Sequence, residues 1–213
     1  MPILSEEDRK AVRQHFSAIE DIVPITLTHP LEDPGDTGAI LGELAELCDK
    51  IKLITVHSRD DDRPVVSVGD HGRVLFLGTP SGYEFNSLLT SIIDAGRRVV
   101  RLQPETETFL EELAENLNIM VFVTPTCPHC PGSAVLANRM AAASRKVTSR
   151  VIEAQEYPEL AREYGVMGVP RTVINGKFHW EGAVGEKNLV ASLSRAIAAS
   201  PDAAVVNLAE FMP

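Results

Sequence analysis

The chain has 213 residues, 44% of them hydrophobic, and a formal net charge of −10. With a mean hydropathy near zero it reads as a soluble globular protein, and its acidic balance argues against nucleic acid or an anionic membrane as main partner, since both are polyanions. No apolar run approaches the roughly 18–20 residues of a membrane span, and Met1–Leu4 leads straight into charged residues instead of a signal-peptide core, so a cytoplasmic location is expected.

Ser5-Glu6-Glu7-Asp8 has the form of a capping box with Asp for the usual Glu or Gln, and Ala11, Val12, Phe16 and Ile19 then recur at helical spacing to about Glu20. Val23–Thr28 follows as a strand. After the breaker-rich His29–Asp36 a helix is expected over Thr37–Lys50, with Cys48 on its apolar face beside Ile40, Leu41, Leu44 and Leu47. Ile51–Val56 reads as a second strand. The polar tract Ser58–Arg63, whose Asp60-Asp61-Asp62 run is a solvated loop, closes on Pro64. Val65–Val68 and Arg73–Leu77 around Gly69-Asp70-His71-Gly72 form a hairpin, and a helix over Tyr83–Asp94 ends the unit.

The second half repeats that order: helix Glu105–Asn116, strand Ile119–Val123, a helix to about Ser144, strand Val147–Ile152 and a short helix over Tyr157–Tyr164. A hairpin follows, Thr172–Ile174 to Phe178–Trp180 around Asn175-Gly176, then a helix over Glu186–Ala199. Pro64 overlays Pro170, Gly78 overlays Gly182 and Gly82 overlays Gly185, so the chain reads as a tandem duplication with its boundary in 96–104. Val99–Leu102 is apolar enough to pack between the halves. The tail 201–213 has no counterpart and reads as a docking helix or a loose terminus. Trp180, alternating with Phe178, reads as sheet packing.

The chemistry concentrates at Val121-Phe122-Val123-Thr124-Pro125-Thr126-Cys127-Pro128-His129-Cys130-Pro131, an apolar strand, a turn and a helix start carrying two cysteines two residues apart. Thiols there face unpaired helical N–H groups and the positive end of the helix dipole, which favour thiolate. Zinc, the competing use of such a pair, needs about four ligands, and the remaining histidines are scattered. An inert pair is the third reading. In the redox reading Cys127, nearer the exposed loop, is the nucleophile and Cys130, a turn into the helix, resolves the mixed disulfide. Pro128 rigidifies the loop. His129, when cationic, lowers the Cys127 pKa and makes the pair more oxidising.

Cys127-Pro128-His129-Cys130 after an apolar strand, with Gly168-Val169-Pro170 leading into a hairpin, resembles the thioredoxin fold. Over nearly the whole chain the sequence is similar to the glutaredoxin-like protein disulfide oxidoreductases with two thioredoxin folds. Residues Gly72–Phe85 also resemble the N-terminal tandem domain of the alkyl hydroperoxide reductase flavoprotein. The resemblance implies an α/β fold of two tandem thioredoxin-like domains, 1–103 and 104–213, each a mixed sheet flanked by helices. It further implies a cis-proline at Pro170, and substrate contact at Val169 and at Thr126. Where two-site relatives carry a first Cys pair, this chain has Leu31–Thr37 and no cysteine, which leaves the first half a structural or docking role. The buried acid of thioredoxins falls near Val121, so proton transfer to Cys130 needs water or another group, Glu153 being the nearest candidate.

The expected function is dithiol–disulfide exchange on protein substrates, in the reducing direction. The redox group is the Cys127–Cys130 disulfide itself, with no metal or cofactor. A peroxiredoxin is the partner the resemblance implies, and a thioredoxin-reductase-like flavoprotein the electron donor, since the sequence has no dinucleotide fingerprint. The alternatives are a non-catalytic redox-sensing interaction module and, more remotely, a zinc-binding adaptor.

Overall fold

The computed structural model describes residues 3–30, 34–58, 63–97, 100–199 and 206–211. The first half runs α1 (Glu6–Phe16), β1 (Val23–His29), α2 (Gly35–Leu47), β2 (Ile51–His57), β3 (Val65–Val68), β4 (Val74–Leu77) and α3 (Glu84–Ala95). The second runs α4 (Pro104–Glu111), β5 (Leu117–Val123), α5 (Cys130–Ala143), β6 (Val147–Glu153), α6 (Pro158–Glu163), β7 (Arg171–Ile174), β8 (Phe178–Glu181) and α7 (Glu186–Ala199). A short strand β9 (Val206–Asn207) and a 3-10 turn (Leu208–Phe211) follow.

Local chemistry explains most boundaries. The Ser5 hydroxyl accepts from the Asp8 N–H and Asp8 Oδ2 accepts from the Ser5 N–H, so the shorter Asp closes the capping box. At the second hairpin Asn175 and Gly176 both have positive φ (54° and 66°), the conformation an Asn-Gly turn supplies at low cost.

The strands form one nine-stranded mixed sheet in the order β2-β1-β3-β4-β6-β5-β7-β8-β9. The halves join through the parallel pair β4–β6, Val74 opposite Ser149 through Leu77 opposite Ile152. Behind this seam α3 packs on α5 through a buried polar ladder. The Ser91 hydroxyl donates to the Ser87 carbonyl, Asn138 Nδ2 donates to Ser91 Oγ, and Ser149 Oγ donates to Asn138 Oδ1. At the ladder's end Arg139 pairs with Asp94 at 2.6 Å. The Ser91, Asn138 and Ser149 side chains each find a partner in the ladder, which fixes how the helices meet.

One continuous core lies on the helix-covered face, with Ile25, Leu27, Leu41, Leu44, Leu88 and Ile92 in the first half and Val121, Ala134, Met140 and Leu193 in the second. A smaller core of Met120, Phe122, Ile152, Tyr157 and Val173 lies on the opposite face, packed by Leu160, Ala161 and Tyr164 of the α6 region. Trp180 and Phe178 are buried in the main core, as sheet packing requires.

Several expectations need correction. Helix α1 stops at Phe16 and α4 at Glu111, the chain after each running irregularly into the next strand. Cys48 is the C-cap of α2 and half-buried, so it borders the core and does not sit within it. The described part of the tail is neither a docking helix nor loose: Val206–Asn207 pairs in parallel with Phe178–His179, and Leu208 is fully buried. Val100 and Leu102 of the boundary are half-buried, and Leu102 packs on the main core. Leu31–Asp33, Asp60–Asp62, Val99 and tail residues 201–205 and 212–213 lie outside the described residues.

Candidate active site: the Cys127–Cys130 dithiol

Strand β5, central in its half, delivers the dithiol loop from its C-terminal end. After Val123 the chain turns, the Thr124 carbonyl accepting from the Cys127 N–H at 3.2 Å, and α5 begins at Cys130 with His129 as N-cap. Cys130 is thus the first helical residue, and Cys127 precedes the helix by one turn. Pro131 falls in the first turn, where a missing N–H costs nothing.

Cys127 and Cys130 are joined as a disulfide with Cα atoms 5.5 Å apart. Cys130 is completely enclosed, whereas Cys127 keeps 9% of its surface and is the less buried of the two. Thr126, Pro128 and His129 are exposed around it. The loop before β7 comes in from the other side: the Val169–Pro170 peptide is the cis bond among the described residues, and the Val169 carbonyl oxygen lies 3.7 Å from Cys127 Sγ. The Pro170 carbonyl accepts from the Gly182 N–H at 2.8 Å, which ties this loop to the hairpin. Cys127, Cys130, Val169 and Pro170 are therefore brought together, with Thr126, Pro128 and His129 on the rim.

Two buried carboxyls stand behind the site. Glu153, at the end of β6, is 5% exposed, and burial raises its pKa although Oε2 accepts from the Glu156 N–H. The second, Glu84, was not among the residues the sequence singled out. It is contributed by α3 of the first half, is 2% exposed, and neither carboxyl oxygen has a hydrogen-bond partner. Burial pushes its pKa up to about 7, Ser87 one turn on acting weakly the other way. Glu84 and Glu153 line one small cavity with Val123 and Val151, at the root of the dithiol loop. The entrance to α3 is pinned there as well, because the Tyr83 N–H donates to the Pro125 carbonyl at 2.9 Å. Val121 is fully buried and apolar, so the carboxyls lining this cavity come from α3 and β6.

The inter-half contacts continue outward. Arg63 donates to the Glu156 carbonyl, pairs with Glu159 and stacks over the Tyr157 ring, while the Thr79 N–H donates to Glu156. Among the described residues no three His, Cys, Asp or Glu side chains converge as a metal site, and no helix is long and apolar enough to cross a membrane.

Residues 117–194, which hold this dithiol, match the thioredoxin domain family, and the fold around them is thioredoxin-like. Among particular relatives, the chain is 25% identical over 179 residues to the alkyl hydroperoxide reductase protein AhpF of Escherichia coli, covering 80% of this chain and 34% of that protein. It is 22% identical over 200 residues to a Bacillus subtilis protein named NADH dehydrogenase, covering 93% of this chain and 39% of that one. The chain thus spans little more than a third of the curated relatives it matches. Among solved structures, a protein disulfide oxidoreductase from Aeropyrum pernix superposes with a TM-score of 0.83 at 24% identity, covering 95% of this chain and 96% of that one. The N-terminal domain of AhpF from Enterococcus faecalis gives 0.81 at 24% identity, covering 89% and 99%. At these identities the superpositions establish the fold, a tandem thioredoxin-like architecture.

Proposed function

We propose that the chain exchanges its Cys127–Cys130 dithiol with disulfides of protein substrates, in the reducing direction. The observation that carries the reading is the Cys127–Cys130 pair beside the Val169 carbonyl of a cis-proline loop, with Cys127 the less buried of the two sulfur-bearing residues and Cys130 fully enclosed. Cys127, as thiolate, attacks one sulfur of the target disulfide, and the other target sulfur leaves as a thiolate. Cys130, deprotonated, then attacks Cys127 Sγ, the second target sulfur leaves, and the internal disulfide re-forms. The target gains two electrons and two protons. Pro170 has no N–H to compete with substrate, which leaves the Val169 backbone free to pair with an extended segment. His129 and Pro128 tune the thiolate from the rim, and Thr126 contacts substrate.

Cys130 must lose its proton inside an enclosed site. Glu84, buried, unpartnered and titrating near 7, is the acceptor we assign, with Glu153 sharing its cavity. The residues thus divide into a docking and acid-supplying unit, 1–103, and a dithiol unit, 104–213. The alkyl hydroperoxide reductase relatives support a peroxiredoxin as the target and a thioredoxin-reductase-like flavoprotein as the electron source.

The test is insulin reduction with dithiothreitol as reductant, together with the equilibrium potential of the pair in glutathione buffers. Cys127→Ser is expected to abolish turnover, and unchanged turnover would end the proposal. A potential near ~−270 mV fits a reductase, whereas one near or above ~−180 mV makes the pair an oxidant and reverses the proposed direction.

A further inference from the structure

The three residues Gly82-Tyr83-Glu84 of the first half do three different things at the dithiol loop. Gly82, at φ 58°, lies so close to the Pro125 carbonyl that any side chain there would collide with it. Glu84 turns inward and is buried. Tyr83, held between them by its N–H bond to Pro125, is 47% exposed, one of the few large apolar side chains left open to solvent. Pro125 is two residues from Cys127.

A second such side chain stands on the other flank. Met167 is 90% exposed and two residues from Val169, whose carbonyl touches the Cys127 sulfur. Sheet order fixes their relation: the 78–83 loop leaves the C-terminal end of β4, Met167 precedes β7, and β5, which carries the dithiol, lies between them in β4-β6-β5-β7. The two loops thus leave the same end of the sheet from strands on opposite sides of β5. Tyr83 and Met167 thus belong to the two loops that border the dithiol at this end of the sheet.

Building on the dithiol reading above, we infer that Tyr83 and Met167 grip an extended, apolar segment flanking the target disulfide, so that the first half takes part in selecting the substrate. A partner whose cysteine is bordered by apolar residues fits this surface. A small disulfide with no chain on either side of its sulfurs does not reach both contacts.

The test compares kcat/KM for insulin with kcat/KM for 5,5′-dithiobis(2-nitrobenzoic acid) in Tyr83→Ser, Met167→Ser and Tyr83→Phe. The ratio of the two is expected to fall about 10-fold in each serine variant, carried by KM for insulin, and further in the double variant, with Tyr83→Phe close to the parent. A ratio that stays constant in both serine variants, or a fall confined to kcat, overturns the inference. Absence of turnover on both substrates in the unmodified protein would instead overturn the dithiol reading on which it rests.

Discussion

Strands β1 and β5 occupy the same place in their halves, with the same register and opposite fates. In the first half Val23 to His29 pair in parallel with Ile51 to His57; in the second Leu117 to Val123 pair in parallel with Val147 to Glu153. The antiparallel partners match too, Ile25 opposite Val68 and Ile119 opposite Ile174. Even the hairpin closures agree, the Gly78 N–H donating to the Pro64 carbonyl and the Gly182 N–H to the Pro170 carbonyl. The two diverge beyond the strand ends. By this register Asp36 holds the place of Cys130, Pro170 follows a cis bond where Pro64 does not, and β6 ends on the buried Glu153 where β2 ends on the exposed His57. The two halves thus share one sheet scaffold and differ at the strand ends and in the loops that follow them.

A second contrast lies on the far face. The connection 154–170 of the second half holds α6, which covers Phe122 and Ile152, whereas its counterpart in the first half, 58–64, is much the shorter of the two. The matching first-half positions are Thr28, half-buried, and Val56, 42% exposed. Edges are managed in parallel ways: β6 covers β4, and β9 covers β8, the strand equivalent to β4. The tail thus hides an edge that would otherwise invite pairing with another chain.

The largest expected effect breaks this symmetry directly. Phe122→Ala, in a fully buried side chain, is expected to cost about 3–5 kcal/mol, and Thr28→Ala at the matching position less than about 1 kcal/mol, both read from urea midpoints. Equal costs would mean that the far face of the first half is as tightly packed as that of the second.

Next comes the acid that one half lends to the other. Glu84 has a folded pKa of about 7 against an ordinary value of 4.5, so the folded state holds its proton more tightly than the unfolded chain. Its contribution is complete below about pH 4.5 and is lost as pH rises through 7, up to about 3 kcal/mol in all. Glu84→Gln is expected to leave stability unchanged at pH 4, raise it by up to that amount at pH 8, and flatten the slope between. The same variant should lower kcat for insulin about 10-fold or more and remove an inflection near pH 7 from the kcat profile. A retained inflection would move the proton-accepting role to Glu153 or to water.

What the sequence revealed follows the range of the interactions involved. The Ser5 box, the Asn175-Gly176 turn, the Cys-x-x-Cys loop and the bounds of α7 are set by neighbours, and all were legible. Glu84 was not, because an acid in the first turn of a helix ordinarily serves the helix dipole. One signal was present: Glu84, Ser87, Leu88, Ser91 and Ile92 share one helical stripe, which places the carboxyl on the buried face. The tail strand had no such signal, since a two-residue parallel pairing with β8 is wholly non-local.

The smallest expected effect concerns Gly82 and Gly185, which the sequence overlays and the structure separates. Gly82 combines φ 58° with contact against the Pro125 backbone, so an alanine must take a left-handed conformation and push the dithiol loop away from α3. Gly185 has open space around it and no such φ. Gly82→Ala is expected to cost about 1–3 kcal/mol and to slow insulin reduction, because Tyr83 and Glu84 move with it, whereas Gly185→Ala should stay within about 0.5 kcal/mol of the parent. If Gly82→Ala lost stability at unchanged kcat and KM, the close approach of the two halves would be packing alone. A loss in both ties the position of the first half to the chemistry of the second.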